Sequence, residues 1–220
     1  MISKLHLKNE NNLAGFILFL GTFCILITIG FEYTIGWIGV ERSANAIPQF
    51  IYMVWDDLKH IWAWQIFGFS LQCIAYILLL KNTTLPFKSL LWATLMVLSL
   101  FIIIGFGICL GSYYPALEVY EQQPQLFEAI RGAVRFLYGR GGLLSFLILA
   151  LIFFIELFAS KGVIPKKWGI PTLLVIVTGI LLSLVPSLPG KVIGATIFFI
   201  PLSIGFAYWM ADTTLKTTTS

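Results

Sequence analysis

Between residues 47 and 64 the chain reads IPQFIYMVWDDLKHIWAW. At helical spacing Phe50, Ile51, Val54, Trp55, Leu58, Ile61 and Trp62 share one stripe, and Gln49, Asp56, Asp57, Lys59 and His60 take the other side. Residues 124–138 repeat the pattern, with Leu126, Phe127, Ile130, Val134 and Leu137 apolar against Glu128, Arg131 and Arg135. Both stretches open on Pro-Gln and a hydrophobe, and both run into a long apolar segment. The spacing predicts two short amphipathic helices, over about 48–59 and 124–138, lying at a membrane interface where their aromatics are at home. Pro124 belongs in a first helical turn. Gly139, Gly141 and Gly142 are expected to end the second of these helices.

Long apolar runs fall at about 13–32, 60–80, 85–111, 143–160, 168–185 and 192–211. Each is long enough to cross about 30 Å of hydrocarbon as a helix. The expected fold is therefore all-α, a polytopic integral membrane protein forming one domain, with six transmembrane helices and the two amphipathic helices on its outer face. The first run is read as a retained helix and not a signal peptide. It exceeds the usual apolar core of such peptides, and Glu32 and Tyr33 follow it where a small-residue cleavage site would be needed. Pro201 is expected to kink the sixth span and free the Ile197 carbonyl.

Charge sets the orientation. With the N-terminus inside, Lys4, Lys8, Lys81, Lys88, Lys161, Lys166, Lys167 and Lys216 are cytoplasmic, eight against the six outside (Arg42, Lys59, Arg131, Arg135, Arg140 and Lys191). Excess Lys and Arg in short loops marks the cytoplasmic side, so both termini are expected there. Asn82-Thr83-Thr84 has the form of a glycosylation sequon, but this topology puts it inside.

An internal repeat is also visible. Ile27 to Phe31 followed by Gly36 resembles Ile102 to Phe106 followed by Gly111, at an offset of 75 (27 to 102), and Pro48-Gln49 matches Pro124-Gln125 at 76 (48 to 124). Residues 13–80 and 88–160 would then be two parallel copies of span, outer helix and span. Some transporters are built this way, with sites between the copies; apolar segments also look alike through composition alone.

Composition agrees with a membrane setting. Of 220 residues 59% are hydrophobic and 11% charged, too little charge to cover a soluble domain. The net charge of +4 follows from the basic inner loops and calls for no nucleic-acid partner. Cys24, Cys73 and Cys109 lie in apolar segments without metal-ligand or redox spacing, and read as small hydrophobes. With only His6 and His60 present, a bis-histidine haem has no ligand pair inside the bundle. No metal or cofactor is expected.

The candidate chemistry is sparse. Glu156 sits in the apolar run LILALIFFIELF. A charge at a span centre costs about 2.5–3.5 kcal/mol, and apolar neighbours returning about 0.3–0.6 kcal/mol each still allow insertion. The plainest reading has Glu156 leaning towards the inner interface near Ser160 and Lys161; ion coupling and pairing with another helix are the alternatives. Glu32, at the end of the first span, reads as an interfacial carboxylate. Asp56 and Asp57 splay about 100° apart on a helix and form no dyad; a metal would need oxygens from Glu32, Glu41, Glu118 or Glu121 as well. Arg131 and Arg135 are one turn apart and face the same way. They could hold a lipid phosphate or carboxylate, but the plainer reading pairs them with Glu128 and with Asp56 or Asp57 across the two outer helices. Trp55, Trp62 and Tyr138 are candidate aromatic lining. Gly107-x-x-x-Gly111 and Gly190-x-x-x-Gly194 fit close helix packing. No phosphate loop, GxSxG, HExxH or CxxC occurs.

Near the C-terminus the order Gly162-Val163-Ile164-Pro165-Lys166-Lys167-Trp168-Gly169, then Gly179, Pro186, Pro189 and Trp209, resembles the ending of a large group of uncharacterised bacterial integral membrane proteins of about this length, filed as a domain of unknown function. A long loop after the first helix and a Trp-bearing start to the second are similar too. The resemblance implies a bacterial inner-membrane setting and carries over no catalytic or binding residue.

Clustered aromatics with few titratable groups suit recognition better than catalysis. The expected function is a binding or accessory membrane protein, taking a lipid, a small apolar molecule or a partner's helix beneath an outer lid. The alternative is a small secondary transporter or channel using Glu32 and Glu156. An enzyme ranks third.

Overall fold

The computed structural model describes residues 9–160, 162–185 and 195–211. The turn expected at 186–191, Gly190 with Gly194, the start of the last span and the tails bearing Lys4, His6, Lys8 and Lys216 lie outside the described residues, as does Lys161. Among the described residues all regular structure is helical, and five helical runs are long and apolar enough to cross a membrane.

Helix α1 is Glu10–Thr34, started by Asn9, whose side chain accepts the Asn12 N–H. After α1, Gly36 (φ 76°) and Gly39 (φ 88°) turn the chain back in a backbone region that side chains other than glycine's disfavour. The outer helix expected over 48–59 is divided in two. α2 is Ala46–Met53, Val54 leaves helical geometry, and Trp55 already begins the long helix α3, Trp55–Lys81. Beyond this break the apolar stripe is carried on by α3, where Leu58, Ile61 and Trp62 are buried.

α4, Pro86–Glu118, has 33 residues and a length of about 50 Å at 1.5 Å per residue. It outruns the expected span 85–111 because Tyr113, Ala116 and Leu117 still find a core. α5, Pro124–Val134, passes through a π-helical turn, Arg135–Arg140, straight into α6, Gly141–Phe158. The break expected at Gly139, Gly141 and Gly142 does not occur. A glycine in a helix forfeits only about 1 kcal/mol relative to alanine, and the wider turn keeps the backbone bonded. α7 is Lys166–Ser183, and a 3₁₀ turn, Ala195–Phe198, leads into α8, Phe199–Met210. Pro201 thus lies in the first turn of α8, just after the change from 3₁₀ to α geometry, where its missing N–H is tolerated.

α1 is clasped between α3 and α8, and α4 lies against α3, α5 and α6. Glycines permit the two close crossings of α1. A Cβ on Gly15 would collide with the Trp209 backbone nitrogen, and one on Gly21 would stand 2.7 Å from the Gly68 oxygen. Gly107 and Gly111, expected to pack, have nothing within 4 Å of where a Cβ would be. The core has two parts: one around Trp92, Tyr76 and Phe153 at the end where α4 begins, the other around Trp62, Phe127 and Tyr113 at the end carrying α2 and α5.

Candidate functional site

The α5 end holds a cavity of about 380 Å³ between α1, α3, α4 and the run from α5 into the π turn. Glu32 is its buried carboxylate, 5% exposed. Instead of reaching open water, Glu32 is covered because the loop after α1 doubles back: its carbonyl accepts the N–H groups of Trp37 (2.8 Å) and Ile38 (3.2 Å). The Trp62 indole N–H donates to its Oε1 across 3.0 Å, and the Gln65 side chain stands beside it. The loop is fastened by Arg42, which donates to the Gly36 and Val40 carbonyls and lies 3.5 Å above the Phe50 ring.

Aromatic side chains form much of the wall. Trp62 meets Trp37 edge-on at 6.0 Å and Tyr113 at 5.7 Å, while Phe106 meets Tyr138 at 5.1 Å. Trp55 packs behind Trp62 and on Tyr114, supporting the wall and not lining it. Arg131 and Arg135 line the same cavity from α5 and the π turn. Arg131 pairs with Glu128 at 3.2 Å, and the Arg135 side chain forms no hydrogen bond or ion pair among the described residues. Asp56 is exposed and paired with Lys59, away from the cavity. Asp57 lines instead a groove of about 680 Å³ between α1 and α3, where His60 joins Phe23, Ile27, Trp64 and Phe67. Among the described residues no three His, Cys, Asp or Glu side chains gather as metal ligands.

A third cavity, about 250 Å³, lies between α3, α4, α6 and α8 and shares Tyr138 with the first. Its polar lining is Gln72, Ser99, Ser145 and Tyr76. Most of these bonds are local: Ser99 and Ser145 donate to carbonyls one turn back, and Gln72 donates to Thr22 at 2.9 Å.

Glu156 lies at the opposite end. It does not lean out to the interface; it is buried, 1% exposed. Lys88 at the start of α4 pairs with its Oε1, the Tyr208 hydroxyl donates to the same oxygen, and the Val163 N–H donates to Oε2 at 3.2 Å. Lys88, Tyr208, Trp37 and Gln65 were not singled out by sequence. Lys88 counts there only as an inner-loop charge, and nothing in the local pattern joins it to a residue 68 positions away (88 to 156).

Fold and site together define an all-helical protein with membrane-compatible helices and a charged, aromatic-walled cavity at one end. No protein-family model, curated protein or solved structure matches this chain.

Proposed function

We propose that this is a multi-pass protein of a bacterial cytoplasmic membrane that binds an amphiphile, a lipid foremost, in the cavity at its α5 end. Six spans cross the bilayer, the last being the shorter apolar stretch Ala195–Met210 with the residues before it. The α5 end faces outward and both termini face the cytoplasm, as the excess of lysines at the other end favours. α2 and α5 form the lid, and the two copies of span, short helix and span, α1 to α3 and α4 to α6, flank the cavity as related halves. The resemblance of the C-terminal segment to bacterial inner-membrane proteins supports the same location.

One observation carries this reading: Arg131 and Arg135 share a single cavity with Trp37, Trp62, Phe106 and Tyr113. Guanidinium groups over apolar and aromatic walls match a molecule with an anionic group and a hydrocarbon body. The transporter alternative fits less well, because Glu156 is already held by an ammonium, a hydroxyl and a backbone N–H. Lipid phosphorus copurifying with the protein tests the proposal. Arg131→Ala with Arg135→Ala is expected to lower it by about one lipid per chain; identical content would exclude this site.

A further inference from the structure

Glu32 is 95% buried (5% exposed) and faces the cavity. Its hydrogen-bond donors are uncharged, and no cationic side chain pairs with it among the described residues. A buried carboxylate without a counter-charge is unfavourable. Arginines are close at hand, since Arg42, Arg131 and Arg135 all line the same cavity, but none is bonded to Glu32. Arg42 is taken up by two carbonyls and the Phe50 ring, and Arg131 by Glu128. The cavity therefore holds a carboxyl group and guanidinium groups that are not paired with each other directly.

The walls near Glu32 add to its attraction for a cation. Trp62 donates its N–H edge to the carboxylate, and Trp37 packs against Trp62 while its own backbone is bonded to Glu32. Phe106 and Tyr113 complete a cluster of ring systems around Trp62. Faces of indole, phenyl and phenol rings attract organic ammonium groups, the more so when water is excluded. A purely anionic ligand would leave Glu32 uncompensated, and a purely cationic one would leave Arg135 so.

Building on the proposed amphiphile site, we infer that the cavity recognises a zwitterion. Glu32 with the Trp37 and Trp62 rings takes its ammonium group, and Arg131 with Arg135 takes its phosphate or carboxylate. A phospholipid headgroup and a free amino-phosphate offer the same two charges.

The test is calorimetry on the full-length protein in detergent with three probes. These are dihexanoyl phosphatidylethanolamine, dihexanoyl phosphatidylglycerol (the same chains and phosphate, no ammonium) and free phosphoethanolamine. The ethanolamine lipid is expected to bind at least tenfold more tightly than the glycerol lipid. Glu32→Gln, which keeps an oxygen for the Trp62 N–H, should weaken the ethanolamine lipid and so remove that preference. Trp37→Leu should weaken the ethanolamine lipid more than the glycerol lipid, and an unchanged gel-filtration profile and Tm identify variants that fold. Free phosphoethanolamine binding as tightly as the lipid would assign the site to a solute, and weaker binding would assign it to a headgroup; both support the zwitterion. Equal affinity for the two lipids, or indifference to Glu32→Gln, overturns this inference and leaves the amphiphile site standing. Absence of binding by all three probes removes both.

Discussion

Lys88, near the start of α4, and Glu156, near the end of α6, form an ion pair at the end of the bundle opposite the cavity. Glu156 is the better buried partner, with 2% of its side chain exposed against 18% for Lys88. Removing one member of such a pair leaves the other charge without compensation, at about 3–5 kcal/mol. Glu156→Leu and Lys88→Met should each lower the unfolding free energy in detergent by that order. The double variant should lose clearly less than the two added together. Additive losses would mean that the pair contributes nothing as a pair.

The same carboxylate separates the two functional readings. If Glu156 serves only to join α4, α6 and α8, then Glu156→Gln in a protein that still folds leaves any solute flux in reconstituted vesicles unchanged. Loss of flux without loss of Tm would give Glu156 a coupling role.

The crossing of α1 with α8 sets a second expectation. A Cβ on Gly205 would lie 2.6 Å from the Phe19 nitrogen, whereas one on Gly107 meets nothing within 4 Å. Gly205→Ala should therefore destabilise by about 1–3 kcal/mol through overpacking. Gly107→Ala should stabilise by about 0.5–1 kcal/mol through helix propensity. Chemical or thermal unfolding of the two variants beside the parent decides it; equal effects would refute the crossing.

Asn12 ties the first helix to the last. Its Nδ2 donates to the carbonyls of Tyr208, Trp209 and Ala211, at 3.0, 3.0 and 2.9 Å. These are carbonyls at the end of α8 that the helix cannot satisfy itself. Asn12→Leu removes the donor without adding a charge, and the expected loss is about 1–3 kcal/mol. Proteolysis near the C-terminus, followed by mass spectrometry, should quicken in the variant if the tie holds that end down.

Orientation is open to a direct check. Gln125 and Asn82 are both exposed and sit at opposite ends of the bundle. In a background with Cys24, Cys73 and Cys109 replaced, a membrane-impermeant maleimide should label Gln125→Cys in intact cells. Asn82→Cys should react only after permeabilisation. The reverse result would invert the proposed topology.

The long helices were legible because apolar runs of membrane length have few other solutions. Their ends were less so. The stripe through Val54 and Trp55 looks continuous in sequence, yet the backbone breaks at Val54, where α2 turns into α3. Gly139 to Gly142 carry the composition of a breaker, but the helix absorbs them in a wider turn. Arg131 and Arg135 were recognisable as a pair from their spacing. The burial of Glu32 was not, because it depends on a loop folding back and on an indole 30 residues away. The helix contacts were misplaced for a related reason: a small-residue motif marks what a helix can do, and only packing decides which glycines, here Gly15, Gly21, Gly68 and Gly205, are used.

Tyr138 lines both the cavity at the α5 end and the smaller one beside Gln72, so a single phenol ring is common to their walls. Whatever enters one chamber therefore meets a side chain that the other shares, and a substitution there would reshape both at once.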